Sequence, residues 1–299
     1  MDINWYPGHM AKAKRLLADQ LSRVDVVVEL CDARLPYSSR NPDLDKLLAG
    51  KKRVLLLNKA DLADPAATSA WLNYFRAQGI DAAPYSASTG KAKDALAVID
   101  RAAKEAVERA AQKGIRKTVK AMVVGVPNVG KSTFTNKLHG GNIAKTGDRP
   151  GVTRANQWVR ITPYLELLDT PGLLWPNLSD QQDARALAFV GTINDNIMDQ
   201  QMLAIRLMER LMEDHADALT TRFKLKNNAL RGVPLLEEAC RCRGWLLPGG
   251  VCDTDRGAAV ILDEFRAGKL GRITLQKAPV KPPKETTPER EAKKEEQTS

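Results

Sequence analysis

Residues 125–132 read GVPNVGKS, the pattern G-x-x-x-x-G-K-[ST], directly after the apolar run VKAMVVG (119–125) and before a helical pattern at 131–139. No other stretch constrains the fold as tightly. The glycines let the backbone curl until successive N–H groups converge on an anion, and the helix that follows adds a favourable dipole. A strand–loop–helix unit of this kind belongs to a parallel sheet flanked by helices. In it Lys131 is placed to reach β- and γ-phosphates and Ser132 to hold Mg²⁺, with Pro127, Asn128, Val129, Gly130 and Thr133 completing the cradle.

The surrounding pattern agrees. VDVVVEL (24–30), RVLLLNK (53–59), DAAPYSA (81–87), VKAMVVG (119–125), NQWVRIT (156–162) and YLELLDT (164–170) predict six strands. Helical spacing separates them at 9–22, 41–49, 65–78, 90–113 and 131–139. Strands alternating with helices predict a mostly parallel sheet, whereas the short Pro-containing turn between the last two predicts an antiparallel hairpin. After residue 178 the strand signal stops, and segments 180–190, 198–214, 233–244 and 254–268 all space their apolar residues helically. From Lys277 onward Pro, Lys, Glu and Thr dominate, too few apolar residues to order the chain. The expected organisation is an α/β domain over 1–178, an all-helical domain over 179–276 and a disordered charged tail over 277–299.

Three further motifs fall at or between strand ends. In NKAD (58–61) the Asp61 carboxylate can accept from the ring N–H and the exocyclic amine of guanine, a donor pair that adenine lacks. The Lys59 stem can cover the base, Asn58 can brace the loops, and Ala60 lies between them and Asp61. SAS (86–88) sets Ser86 and Ser88 around Ala87, whose N–H is placed as GTPases place one against guanine O6. DTPG (169–172) offers Asp169 to the Mg²⁺ shell and the Gly172 N–H to a γ-phosphate, and Thr153 of GDRPGVTR (147–154) is the candidate second Mg²⁺ ligand. Each motif alone could be a strand-end turn; four that point to one ligand are not coincidence.

Their order is not the usual one for GTPases, in which the phosphate loop comes first. NKAD and SAS precede GVPNVGKS here, as a circular permutation that leaves the sheet unchanged would produce. The order NKAD–SAS–GVPNVGKS–PGVT–DTPG, the opening WYPGHMAKA and the ending GGVCDTDRGAAVILDEFRAGKLGRITL resemble the YlqF/RbgA family of circularly permuted ribosome-assembly GTPases over residues 1 to about 276. The fold class expected is therefore a circularly permuted P-loop GTPase domain on a six-stranded sheet, followed by a helical domain. The resemblance implies GTP hydrolysis coupled to late maturation of the large ribosomal subunit, stimulation by that subunit, and a helical domain that contacts ribosomal RNA.

The residue after Gly172, where Ras-like enzymes orient water with Gln, is Leu173, followed by Leu174. Leucine neither donates nor accepts a hydrogen bond, so another group must position the water or the intrinsic rate is low. Two compensations follow from the resemblance. Asn128 matches the asparagine that helps related permuted GTPases hold K⁺ beside the phosphates, and His9 of the PGHM motif matches the family's proposed catalytic histidine. Taken alone, His9 also reads as a cap of the first helix or a partner for RNA phosphate; the absent glutamine and the resemblance favour the catalytic role. His139 and His215 have no motif context.

Net charge is +10 over 299 residues. That suits a polyanionic partner, and the nearly balanced tail puts the excess in the folded part. Seven basic residues lie between Arg101 and Lys120, and the RNA-contact candidates are Lys224, Lys226, Arg241, Arg243 and Lys269, with Lys12, Lys14 and Arg15. Cys240, Cys242 and Cys252 lack a nearby histidine and read as reduced thiols rather than a zinc site, as does Cys31. No apolar run approaches the roughly 20 residues that span a bilayer, and the opening residues show no signal or transit pattern. A cytoplasmic bacterial monomer is expected, with neither membrane nor DNA as partner. The competing readings are a GTP-responsive RNA-binding module without useful catalysis and a GTPase acting on a non-ribosomal target.

Overall fold

The computed structural model describes residues 19–40, 42–48, 50–141, 157–170, 181–193 and 199–279. Six strands, β1 (Val26–Asp32), β2 (Lys52–Asn58), β3 (Asp81–Pro84), β4 (Val119–Gly125), β5 (Gln157–Thr162) and β6 (Leu165–Asp169), form one sheet in the order β3-β2-β1-β4-β6-β5. All neighbours pair in parallel except β5 with β6, the expected antiparallel hairpin. Every residue of β1 is buried. A parallel strand covered on both faces reads as a continuous apolar run, because neither set of alternate side chains meets water.

One face holds Val26, Val28, Val54, Leu56 and Val123 against helices α3 (Ala92–Ala111) and α4 (Lys131–His139), through Ala95, Ile99, Ala103, Phe134 and Leu138. The other face packs Cys31, Leu55, Leu57 and Ala82 on Trp71, Leu72 and Phe75 of α2 (Pro65–Ala77). It continues with Val27, Met122, Val124 and Leu168 beneath Leu21, Val24, Leu44 and Leu48, around α1 (Pro42–Leu47). Helix α2 begins where Asp64 accepts from the Ala67 N–H at 2.6 Å and Pro65 fixes the first turn.

Among the described residues five helices follow: α5 (Gln181–Phe189), α6 (Gln200–Asp214), α7 (Ala216–Phe223), α8 (Gly232–Arg243) and α9 (Thr254–Arg266). Helix α6 buries Leu203, Leu207, Met208 and Leu211, and α9 buries Ala258, Ile261, Leu262 and Phe265. One apolar cluster runs from the sheet through α5 into these helices.

Residues 272–276 then return to the sheet as a strap. Leu275 N donates to Arg34 O at 2.9 Å, Ile273 N to Leu62 O at 3.1 Å, and Trp71 Nε1 to Gln276 O at 2.9 Å.

Three details depart from the sequence reading. Strand β3 ends at Pro84, not at residue 87; it is an edge strand, where a proline is tolerated. Helix α7 was not expected. It buries only Leu219 and Phe223, too short a stripe to register as a period, and Lys224 in left-handed conformation ends it. The tail expected from 277 keeps contacts through its first residues, with Lys277 on Asp214 at 3.3 Å and Ala278 packed near Trp71. The expected boundary at 178 lies outside the described residues.

Candidate nucleotide site

Strand order runs outward from β1 to β3 on one side and from β4 to β6 on the other, so the chain changes direction between β1 and β4. Parallel sheets bind ligands beyond the carboxyl ends of their strands at such a point. NKAD follows β2, SAS follows β3, GVPNVGKS follows β4, and Asp169 ends β6. The permutation has left all four segments on one edge.

The phosphate-loop geometry is tight. Gly130 precedes α4 at φ 102°, and a Cβ there would meet Asn58 Nδ2 at 2.5 Å. Its backbone must be left-handed and side-chain-free at once, which only glycine meets. Among the described residues no side chain caps the start of α4, whose cap position is Gly130. Lys131 is buried and donates to Val126 O at 3.0 Å. Burial pulls its pKa down to about 8 against the opposing pull of Asp169. Ser132 Oγ donates to Asp169 Oδ2 at 3.0 Å. Burial raises the Asp169 pKa, opposed by that hydrogen bond and by Lys131.

Asn58 joins the two halves of the edge. Its Nδ2 donates to Val129 O at 2.7 Å and its Oδ1 accepts from Ala87 N at 2.8 Å, so one buried side chain ties the phosphate loop to SAS. Lys59 Nζ donates to Asn128 O at 2.8 Å and lies 3.2 Å from Asp32 Oδ2. Ala60 N donates to Tyr85 O at 3.0 Å, and Ser86 Oγ lies 3.1 Å from Ser88 Oγ. The strap closes the far side of NKAD: Arg272 Nη2 donates to Ala60 O at 3.3 Å and Thr274 Oγ1 accepts from Asp64 N at 3.1 Å.

Two carboxylate oxygens at this edge, Asp61 Oδ1 and Asp169 Oδ1, are buried without a hydrogen-bond partner. A buried unpaired acceptor costs about 1–3 kcal/mol. Asp61 thus presents an acceptor beside NKAD, and Asp169 presents an anionic oxygen next to the Ser132 hydroxyl, a hard-oxygen pair suited to Mg²⁺.

Sequence reading missed Asp32, Arg34 and Gly191. Arg34 holds Asp32 with Nε to Oδ1 at 2.9 Å and Nη2 to Oδ2 at 2.8 Å, and Asn128 Nδ2 donates to Gly191 O at 2.7 Å. The Asn128–Gly191 contact spans 63 residues and has no local signature, whereas Asp32 and Arg34 stand two residues apart in the DAR that closes β1, a charged pair after an apolar strand that the sequence does display. Of the remaining candidates, His9, Lys12, Lys14, Arg15, Thr153, Gly172, Leu173 and Leu174 lie outside the described residues. Thr133 stands in the first turn of α4. Among the basic candidates, Lys224, Arg243 and Lys269 line one cavity of about 590 Å³ together with Arg222, which pairs with Glu264. Lys226 is exposed outside that lining, and Arg241 pairs with Glu237 at 2.9 Å on α8.

Residues 120–225 match the family described as "50S ribosome-binding GTPase". "Ribosome biogenesis GTPase A" of Bacillus cereus is 44% identical over 278 residues, covering 92% of this chain and 94% of that protein. The protein of the same name in Thermotoga maritima is 32% identical, with 96% and 97% covered. Among solved structures, GNP-bound YlqF from T. maritima is 28% identical with a TM-score of 0.63, over 89% of this chain and 98% of that one. The GDP-bound structure of TM YlqF gives 0.66 at 28% identity, over 88% and 99%. With identity of this level along nearly its whole length, the chain belongs to the ribosome biogenesis GTPase A family.

Proposed function

We propose that this GTPase of ribosome biogenesis binds guanine nucleotide across the carboxyl edge of its sheet, hydrolyses GTP, and couples hydrolysis to late assembly of the large ribosomal subunit. The observation that carries the reading is the pair of buried, unpartnered carboxylate oxygens of Asp61 and Asp169, one beside the base motif and one beside the phosphate loop. Asp61 accepts from the guanine ring N–H and amine and the Lys59 stem covers the base, while the Ala87 N–H, which donates to Asn58 Oδ1 at 2.8 Å in this structure, meets O6 only by sharing or exchanging that bond when nucleotide enters. Ser86 and Ser88 shape the loop that holds Ala87. The backbone from Pro127 to Thr133 cradles the phosphates, Lys131 contacts them by charge, and the Gly172 N–H meets the γ-phosphate.

Ser132, Asp169 and Thr153 would hold Mg²⁺, which neutralises charge on the β- and γ-phosphates when bound. Asn128 would hold K⁺ through its Oδ1. His9 orients or accepts from the attacking water where Leu173 cannot. The helical region, with Lys224, Arg243 and Lys269 gathered at one cavity and Lys226, Arg241 and the N-terminal Lys12, Lys14 and Arg15 beside them in role, binds ribosomal RNA through phosphates. The protein acts in the cytoplasm as a monomer, with no membrane or DNA partner. No helix among the described residues is long and apolar enough to cross a membrane.

The test is GTP turnover with and without large subunits, in potassium and in sodium, for wild type and His9→Ala. Subunit-stimulated turnover that drops in sodium and in the variant, at unchanged GTP affinity, is the expected result. Stimulated turnover unchanged by His9→Ala rejects the catalytic role. Equal rates in both salts reject K⁺, and absence of stimulation rejects the ribosomal target. RNA binding that fails to weaken with added salt rejects phosphate recognition.

A further inference from the structure

Lys59 and Asn128 have φ of 58° and 56°, and Lys224 is the one other described non-glycine residue with positive φ. The left-handed conformation costs a residue with a Cβ roughly 1–2 kcal/mol. Here the two strained residues face each other across the nucleotide edge, joined by Lys59 Nζ on Asn128 O. A closed ring of contacts holds them, and half of it lies in the helical region. From Lys59 it passes to Asp32, then to Arg34, whose Nη1 donates to Arg266 O at 3.2 Å. The Arg266 guanidinium donates from Nη2 to Ala188 O at 2.9 Å and from Nε to Phe189 O at 3.1 Å.

Those carbonyls end α5. The helix closes with Thr192 N on Leu187 O and Gly191 N on Ala188 O around Gly191 at φ 77°, a glycine-capped turn that a basic side chain stabilises further. A Cβ on Gly191 would meet Arg266 Nε at 3.3 Å, so guanidinium and turn are in direct contact. The turn presents Gly191 O to Asn128 Nδ2 at 2.7 Å, and the ring returns to its start.

We propose that Arg266 is a positioning residue of the nucleotide site: by fixing the end of α5 it sets the Gly191 carbonyl against Asn128, holds the phosphate loop in its left-handed turn, and thereby lets the helical region govern how fast guanine nucleotide leaves. The inference rests on the nucleotide-site reading above. A partner that shifts α9 against α5 acts on nucleotide dwell time through this arm.

The experiment is a cycle of dissociation rates for the fluorescent analogue mant-GDP, measured by stopped flow on the full chain. Arg266→Gln, which keeps one donor, is compared with Asn128→Ala and with the double variant. Arg266→Gln is expected to speed release about tenfold in the wild-type background and less than twofold in the Asn128→Ala background, since sites that act through each other are not additive. Leu262→Ala, a buried α9 change outside the ring, controls for general loosening and is expected to lower Tm while changing release less than twofold. Unchanged release in Arg266→Gln, an equal speeding in both backgrounds, or equal speeding by Leu262→Ala overturns the role of Arg266. A folded wild type that fails to bind mant-GDP overturns the nucleotide site itself, read separately from its own titration.

Discussion

At the amino end of the sheet Lys52 meets Glu105 at 2.7 Å and Arg101 meets Asp81 at 3.1 Å, with all four side chains 42–62% exposed; at the carboxyl end Arg34 meets Asp32 at 2.8 Å with side chains 2% and 3% exposed. Bond lengths are alike and solvent is not. The amino end even has a cavity, about 660 Å³, lined by Lys51, Lys52, Arg53, Asp81 and Arg101. Yet the Lys52–Glu105 and Arg101–Asp81 pairs there are solvated, while Arg53 reaches inward to the buried Glu29, and no non-glycine residue described there is left-handed. The carboxyl end combines buried ions, two left-handed residues and two unpartnered carboxylate oxygens. Concavity and exposed charge therefore do not mark the site in this fold. Buried atoms without a hydrogen-bond partner also occur at Gln20, Glu29, Arg40 and Glu238, and Lys224 is left-handed too; what sets the carboxyl edge apart is that such costs gather there, with Lys59 and Asn128 hydrogen-bonded to each other, as strain held by over-determining surroundings does.

The sharpest way to break this contrast is to remove a buried charge. Asp32→Ala leaves Arg34 uncompensated in the interior and is expected to cost about 3–5 kcal/mol in urea unfolding. Burial alone would raise the Asp32 pKa, but Arg34 and Lys59 outweigh it and hold the carboxyl well below the usual range. In acid the unfolded chain thus binds the proton that the folded chain refuses. This stabilisation is complete above the unfolded value of about 4 and is lost as pH falls below it. Asp32→Asn should flatten that limb of the stability curve, checked by urea midpoints on either side of about pH 4.

Next in size is Asp61→Asn. It trades an anionic acceptor for an amide and would remove the two charge-assisted bonds proposed to guanine, at about 1.5–3 kcal/mol each. GDP affinity should fall about 100-fold or more, and xanthosine diphosphate, which carries a carbonyl in place of the amine, should gain. Isothermal titration with both nucleotides measures the exchange. Asn58→Ala comes third. It strands the buried Val129 carbonyl and Ala87 N–H, for a stability loss of about 2 kcal/mol or more, and unfastens SAS from the phosphate loop, so mant-GDP release should quicken as well.

How much of this could be read in the sequence follows the same division. The inner strands were legible because burial on both faces leaves apolar runs such as Val26–Val28 and Val54–Leu57, and the phosphate loop was legible because its glycines and lysine are close together in sequence. The bracing role of Asn58 was legible too, since a short amide at a strand end faces the neighbouring loops. What was not legible joins distant segments: Asn128 to Gly191, Arg34 to Arg266, and the strap at 272–276 to the loop after β2. A backbone carbonyl accepts from any donor that reaches it, so a residue such as Gly191 leaves no trace of its partner in the sequence. Helix α7 was missed for a related reason, because two buried residues are too few to define a period.

The smallest effect belongs to the amino end, and it tests the contrast from the other side. Arg101 makes three contacts with Asp81 at 3.1–3.3 Å, against two between the Arg34 and Asp32 side chains. If contact number set stability, Arg101→Ala would be costly. Exposure predicts otherwise: both ions stay hydrated when parted, the long side chain regains its rotamers, and salt screens what attraction remains, so the loss should stay below about 1 kcal/mol and shrink further in high salt. Nucleotide release should not change, since nothing in the carboxyl-edge ring passes through α3. Urea unfolding at two salt concentrations, with mant-GDP release alongside, gives both numbers; a loss comparable to that of Asp32→Ala would mean that burial is not what separates the two ends.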